Sequence, residues 1–291
     1  MPIDLPAARD FILRSARRLE RAHFSYAFED GDPLEVEAAL LPYSSEDGGF
    51  GEALEPDLRG PASHPAHVQF ALRMLLLIDL DVEVDAEESP LLEGVGEYLA
   101  GIALPDGDLP VSVVGADFLP CAAHWETSGD GPFGPSLAMS ICASLRRLGV
   151  EHEWVERASA FSDERILRGG FTDAHEIGGA LEFVVSCEDD TSERLEALVA
   201  ALAGARWYLP EPDAKSYGLS PLQLAPSPES PVAELFARDL MERHLDALEA
   251  GQQKDGGWPI AFTPPSEAAV WEWRGCWTVD SLKILRAWGR L

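Results

Sequence analysis

The chain has 291 residues, 46 % of them hydrophobic, which is ample material for a core and argues against a disordered chain. Its 51 acidic residues against 22 basic ones leave a formal charge of −29, which repels phosphate backbones and anionic lipid and so argues against nucleic-acid binding and membrane docking. The strongest apolar run, 74–80, is too short to span a bilayer, and the N-terminus lacks the basic-then-apolar order of a signal peptide, so a cytoplasmic protein is expected.

In chain order, residues 7–28 carry Phe11, Ala16, Leu19 and His23 near a helical rhythm, with Arg14, Arg17, Arg18 and Arg21 on the other face. The spacing predicts one amphipathic helix. The apolar stretch 36–45 then runs into "SEDGGFG" (45–51), and a second apolar stretch around Ala71–Leu75 follows. Near the C-terminus the order recurs: "LDALEAGQQ" leads into "QQKDGGWP" (252–259), and 281–285 matches 71–75 with a two-residue slip. A third copy is predicted at 98–111, where Asp106-Gly107-Asp108-Leu109-Pro110 matches the turn. Weaker copies lie at 167–184 and 216–226. Further helices are predicted over 193–209 and 231–250, from Leu195, Leu198, Val199 and Leu202, and from Val232, Leu235, Phe236, Leu240, Leu245 and Leu248. The best strand candidate, "LPVSVVGADF" (109–118), is short. Cys121, Cys142, Cys187 and Cys276 lie far apart with no CxxC pair and are expected to be free thiols.

An all-α chain of five or so helix pairs joined by Gly/Pro turns can stack openly or close into a ring. The length suits one domain over 1–291 built as an α/α toroid, with inner helices lining a cavity.

Gln252 or Gln253 followed by Gly256-Gly257-Trp258 resembles the QW repeat of squalene and oxidosqualene cyclases and of protein prenyltransferase β subunits, and "DGGFG" resembles the same turn with Phe for Trp. The resemblance implies a barrel of paired helices enclosing an apolar pocket for an isoprenoid. The turn itself reads as scaffold: Gly-Gly permits positive φ, Asp accepts backbone N–H bonds, and Gln bonds a helix end. The family's catalytic motifs do not carry over intact. The cyclase DxDD motif is approached only by Cys187-Glu188-Asp189-Asp190-Thr191, where Cys187 replaces the first Asp; a catalytic motif would make Asp189 the proton donor, while Asp190 or Thr191 also suits a helix cap. DDxxD is absent, and the prenyltransferase Asp-x-Cys zinc element has Arg274 in place of Asp before Cys276. No Mg²⁺, Zn²⁺ or other cofactor is expected.

Chemistry is expected just after each turn. Glu55, Asp57, Arg59, Ser63, His64 and His67 follow Phe50; Trp271, Glu272, Trp273, Arg274, Cys276 and Trp277 follow Trp258. His124, Trp125 and Glu126, with His175 and Glu176, occupy comparable places. The candidate catalytic residues are Glu55, Asp57, Asp189 and Glu272. Phe50, Arg59, His64, His124, Trp125, His175, Glu176, Trp258, Trp271, Trp273, Arg274 and Trp277 are the candidate substrate-binding residues. Three readings stay open. The first is isoprenoid cyclisation started by a carboxylic acid, with Trp faces steadying cations. The second is glycan processing by paired carboxylates. The third is a non-catalytic toroid that binds a peptide or protein partner. The acids can equally cap a helix or pair with Arg59, and the Trp residues can be core.

Overall fold

A computed structural model describes residues 2–78, 89–111, 118–125, 136–187, 191–213 and 216–291. The chain is all-α. Twelve α-helices form among the described residues: α1 Leu5–Ser15, α2 Arg18–Phe28, α3 Pro33–Leu40, α4 Pro65–Leu76, α5 Val95–Ile102, α6 Ala138–Arg147, α7 Glu153–Arg168, α8 Ala174–Val185, α9 Ser192–Ala201, α10 Pro221–Leu224, α11 Arg238–Ala250 and α12 Glu267–Ala287. No strand forms among those residues, and four isolated bridges are the only β pairings. The strand expected at 109–118 has no strand at 109–111 or 118, and 112–117 lie outside the described residues.

Local chemistry places the helix starts. The Asp4, Asp32, Asp173 and Ser266 side chains accept first-turn N–H groups of α1, α3, α8 and α12, and proline opens α1, α3 and α4 where no N–H is needed. The single helix expected over 7–28 is two. Ala16 and Arg17 turn extended between them, and the Arg17 backbone N–H donates to the Glu20 carboxylate at 3.1 Å at the start of α2. Ala16 there packs on Gly275 of α12, and an added Cβ on that glycine would come within 2.9 Å of it. The helix over 193–209 ends at Ala201, because Arg206 bonds back to Thr172 and Asp173. The one over 231–250 begins only at Arg238, after a 3₁₀ turn Ala233–Leu235 and an extended Phe236.

Three of the predicted turns share one hydrogen-bond pattern. Ser45 N–H donates to Gly49 O (2.9 Å), Leu104 N–H to Asp108 O (2.8 Å) and Gln253 N–H to Gly257 O (2.8 Å). Asp47, Asp106 and Asp255 each accept the N–H two residues on, at 2.9, 3.2 and 3.2 Å. The residue closing each turn is large, apolar and buried: Phe50, Leu109 or Trp258. Gly48, Gly107 and Gly256 sit at φ 83, 98 and 96. Each abuts the backbone of another helix or its start, at Gly94, Arg157 and Ala7 respectively. Gly256 thus meets α1 as Gly107 meets α7.

The two ends of the chain are joined. The helices α1 and α2 both pack against α12. Gln252 donates to Asp4 O (2.9 Å) and accepts from Asp4 N–H (2.8 Å). Elsewhere α2 meets α3, α4 meets α6, and α6 meets α8. Phe70 faces Trp273 and Arg73 faces Asp280, so α4 and α12 run in the same sense.

Gly256→Ala should cost at least about 1–3 kcal/mol, since an L side chain resists this φ and its Cβ would meet Ala7 O at 2.0 Å. Gly289→Ala, also at positive φ but in open space, should cost less. Equal urea midpoints for the two variants would contradict the close approach of the ends.

Candidate active site

The loop after the first turn is strained and clamped. Glu52 and Ala53 adopt φ of 55 and 59, a left-handed pair without glycine, worth about 1–3 kcal/mol of strain each. Arg17 holds it, donating to Ala53 O (3.2 Å) and Leu54 O (2.9 Å). Arg17 is itself paired with Glu20 at 2.6 Å, both side chains being nearly out of solvent. Glu20 also accepts from the buried Cys276 thiol at 3.3 Å, so this cysteine is held as part of the clamp. Leu54, Pro56, Asp57 and Leu58 are buried, and the Glu55 backbone N–H donates to His67 Nδ1 at 2.9 Å.

Glu55 and Asp57 therefore share one site. Burial pushes the Glu55 carboxyl up to about 8, helped by the neighbouring Asp57 and opposed by the Asp57 N–H and by Arg17 and Arg73. Burial also raises Asp57, against a 2.9 Å hydrogen bond donated by Trp273 Nε1. At neutral pH Glu55 is an uncharged acid beside a second carboxyl.

Aromatic rings extend from this pair. Trp273 meets Phe70 (6.4 Å between centroids) and Phe262 (5.6 Å). Phe262 meets Tyr217 (5.5 Å), and Tyr217 meets Trp207 and His175 (5.6 Å each). On the other side, His64 meets Trp125 (5.3 Å) and Phe118 (5.5 Å), and His67 meets Phe118 (5.9 Å). The His67 Nε2 is buried with no hydrogen-bond partner among the described residues.

Further along the same helices lies a charged layer. Arg73 of α4 pairs with Asp280 of α12, and Lys283 Nζ lies 3.4 Å from His23 Nε2. Glu182 of α8 keeps an exposed side chain, yet burial of its carboxyl pushes it up to about 7 against the pull of Arg73 and Arg147. Arg73 is likewise 48 % exposed. Between the layers, Gln69 donates to Ser140 Oγ at 2.6 Å.

Several candidates sit elsewhere or are engaged. Phe50 and Trp258 lie in the core, where Trp258 Nε1 donates to Leu248 O (2.7 Å). Glu272 is held by Arg59 at 2.5 Å. Arg274 forks onto Asp255 (both 2.9 Å) and covers the Phe11 and Trp271 rings, so Arg274 and Trp271 fasten the last turn to α1. Glu176 pairs with Arg165 at 2.7 Å, and Trp277 is partly buried against the core. Asp189 and Glu126 lie outside the described residues, as does the side chain of His124. The structure brings together Glu55, Asp57, His64, His67, Trp125, His175 and Trp273, and adds Phe70, Phe262, Tyr217 and Asp173, which are absent from the sequence candidates. A separate surface groove of about 500 Å³, lined by Val199, Leu202, Tyr208, Phe236 and Leu240 among others, carries no carboxylate.

Five of these groups shape stability against pH. Burial lowers His23, His64 and His67 to about 3, 4 and 3. Unfolded, these rings take protons below about 6.5 and the fold refuses them, so they remove stability as pH falls from there. Glu55 and Glu182 keep their protons in the fold up to about 8 and 7, whereas the unfolded carboxyls shed theirs near 4.5. They remove stability as pH rises through that window. Three rings outweigh two acids below about pH 6.5 and only the acids act above it, so these groups place a maximum near there. Thermal melts should fall on both sides; a melting temperature climbing steadily from about pH 6.5 to 8 would contradict the assignment.

Among the described residues no three His, Cys, Asp or Glu side chains converge to hold a metal, and no helix is long and apolar enough to cross a membrane. Comparison with family models and with curated proteins finds no match to this chain.

Proposed function

We propose that the chain is an α/α toroid whose interior is the active site of an enzyme, with Glu55 as general acid. The closure of the ends through α1, α2 and α12, and the alternation of buried turns with helices, support the toroid. The observation that carries the function is Glu55: a carboxyl titrating near neutral pH, clamped on a strained loop beside Asp57 and Trp273.

The lining favours a polyhydroxylated substrate, a glycan or glycoside. Arg73, Asp280 and Glu182, which the toroid reading turns inward, are costly to face with hydrocarbon and suit hydroxyl groups. An acid near pKa 8 is weak for protonating an alkene, but suits proton delivery to a leaving oxygen. Exposed or half-buried Tyr217, Trp207 and Trp273 offer faces for sugar rings. Isoprenoid cyclisation, implied by the QW resemblance, is the second reading, favoured by the rings of Phe70, Trp273 and Phe262, which suit a carbocation.

The test is incubation with a panel of oligosaccharides and glycosides, and in parallel with squalene and prenyl diphosphates, followed by product analysis. Release of new reducing ends is expected. Cyclised terpenes without glycan turnover would overturn the first reading in favour of the second.

A further inference from the structure

Outside the Glu55–Asp57 pair, one set of side chains forms a directed hydrogen-bond chain ending at the hydroxyl of Tyr217. Asp173 caps α8 and is buried; its Oδ1 lies 2.9 Å from His175 N and 3.0 Å from His175 Nδ1, and its Oδ2 accepts Arg206 Nε at 2.9 Å. Burial acts to raise Asp173, but the His175 and Arg206 hydrogen bonds prevail and hold it below the usual carboxylate range. An ionised Asp173 can only accept, so His175 Nδ1 carries the hydrogen and Nε2 of the neutral ring is an acceptor. That Nε2 lies 2.8 Å from Tyr217 Oη, so the phenol donates to it. The lone pairs of Tyr217 Oη are left for an incoming donor. Tyr217 is 42 % exposed, packed by Phe262 and Trp207. Burial, then the fields of Glu55, Asp57 and Asp173, push its phenol up to about 12, so it keeps its proton at rest, and the first two carboxyls lie within electrostatic reach.

We propose that Tyr217 is the proton acceptor of the reaction in which Glu55 is the donor, its hydroxyl passing a proton to His175, which Asp173 orients. The inference rests on the glycoside-hydrolysing reading above. In the balanced step, a water O–H bond breaks and its oxygen attacks the anomeric carbon. The water proton goes to Tyr217 Oη as the Tyr217 proton goes to His175 Nε2. The bond from the anomeric carbon to the leaving oxygen breaks, and that oxygen takes the Glu55 proton. The imidazolium next to Asp173 and the Glu55 carboxylate then return to their starting states through solvent. Tyr217 is the catalytic residue of this relay; His175 and Asp173 act through it.

The test has two arms. Nitrogen-15 NMR of histidine in the free wild type at neutral pH should show His175 protonated at Nδ1 and bare at Nε2, with the Nε2 resonance moved in Tyr217→Phe. A proton resident on Nε2 would overturn the relay. In turnover, Tyr217→Phe and His175→Gln should each lose about 10²–10⁴-fold in kcat with KM nearly unchanged. Glycosyl fluorides separate the roles, because fluoride leaves without protonation: Glu55→Gln should hydrolyse them and Tyr217→Phe should not. If Glu55→Gln is inactive on glycosides while Tyr217→Phe stays within about twofold of wild type, the relay falls and the Glu55 reading stands. If the wild type turns over neither glycosides nor glycosyl fluorides, that reading and the relay fall together.

Discussion

Glu55→Gln should lower turnover about 10²–10⁴-fold while binding and folding are kept. Glutamine has the size of the neutral acid that Glu55 is at neutral pH, so the loop that carries it loses little. Its amide can donate a hydrogen bond but cannot release a proton to a leaving group. The alkaline limb of the wild-type rate profile, where Glu55 ionises near 8, should vanish from the residual activity. Substrate affinity by calorimetry should stay within a few-fold. A Gln variant with near-wild-type kcat would remove Glu55 from the chemistry.

Arg17→Met should destabilise the fold by about 3–5 kcal/mol, the cost of leaving one member of a buried ion pair alone. Glu20 would be left with the backbone N–H of residue 17 and the Cys276 thiol but no cation beside it, and the carbonyls of Ala53 and Leu54 would lose their donor. The double variant Arg17→Met with Glu20→Leu should recover most of the stability, because an apolar pair replaces the buried charges. It should not recover activity, because nothing then holds the left-handed Glu52 and Ala53 that set Glu55 in place. Urea unfolding and turnover on the two variants separate the effects. Stability and activity recovering together would mean that the clamp does not position Glu55.

The helices and the first, third and last turns were legible because their signals are local. Asp-Gly-Gly needs only a positive φ and an Asp to accept one N–H, and the hydrogen bonds at Ser45, Leu104 and Gln253 repeat in the same register. Helix ends were less legible because long-range contacts set them: Ala16 breaks where it meets Gly275, and Arg206 leaves the helical path to reach Asp173. The site was half legible. Glu55, Asp57 and Trp273 follow their turns, as the repeat predicts. Glu272 and Arg274 likewise lie between a turn and its next helical stretch, yet Arg59 and Asp255 engage them, and only a fold can reveal partners 213 and 19 positions away. Tyr217 and Phe262 went unmarked because each is one aromatic in a Pro- or Ser-rich loop; only their meeting with Trp273 and His175 gives them weight. Asp173 went unmarked as well; it caps α8 and holds the His175 ring nitrogen on the same carboxylate, a pairing that shows only in the fold.

The most direct test of the account is the ionisation of Glu55 itself. Carbon-13 NMR of glutamate carboxyls across pH, with Glu55→Gln to assign the resonance, reads it without any substrate. The account predicts a carboxyl that stays protonated through neutral pH and titrates near 8. A Glu55 that titrates at its ordinary value, 4.5, would contradict it, for the residue would then be a solvated carboxylate with no acid to give.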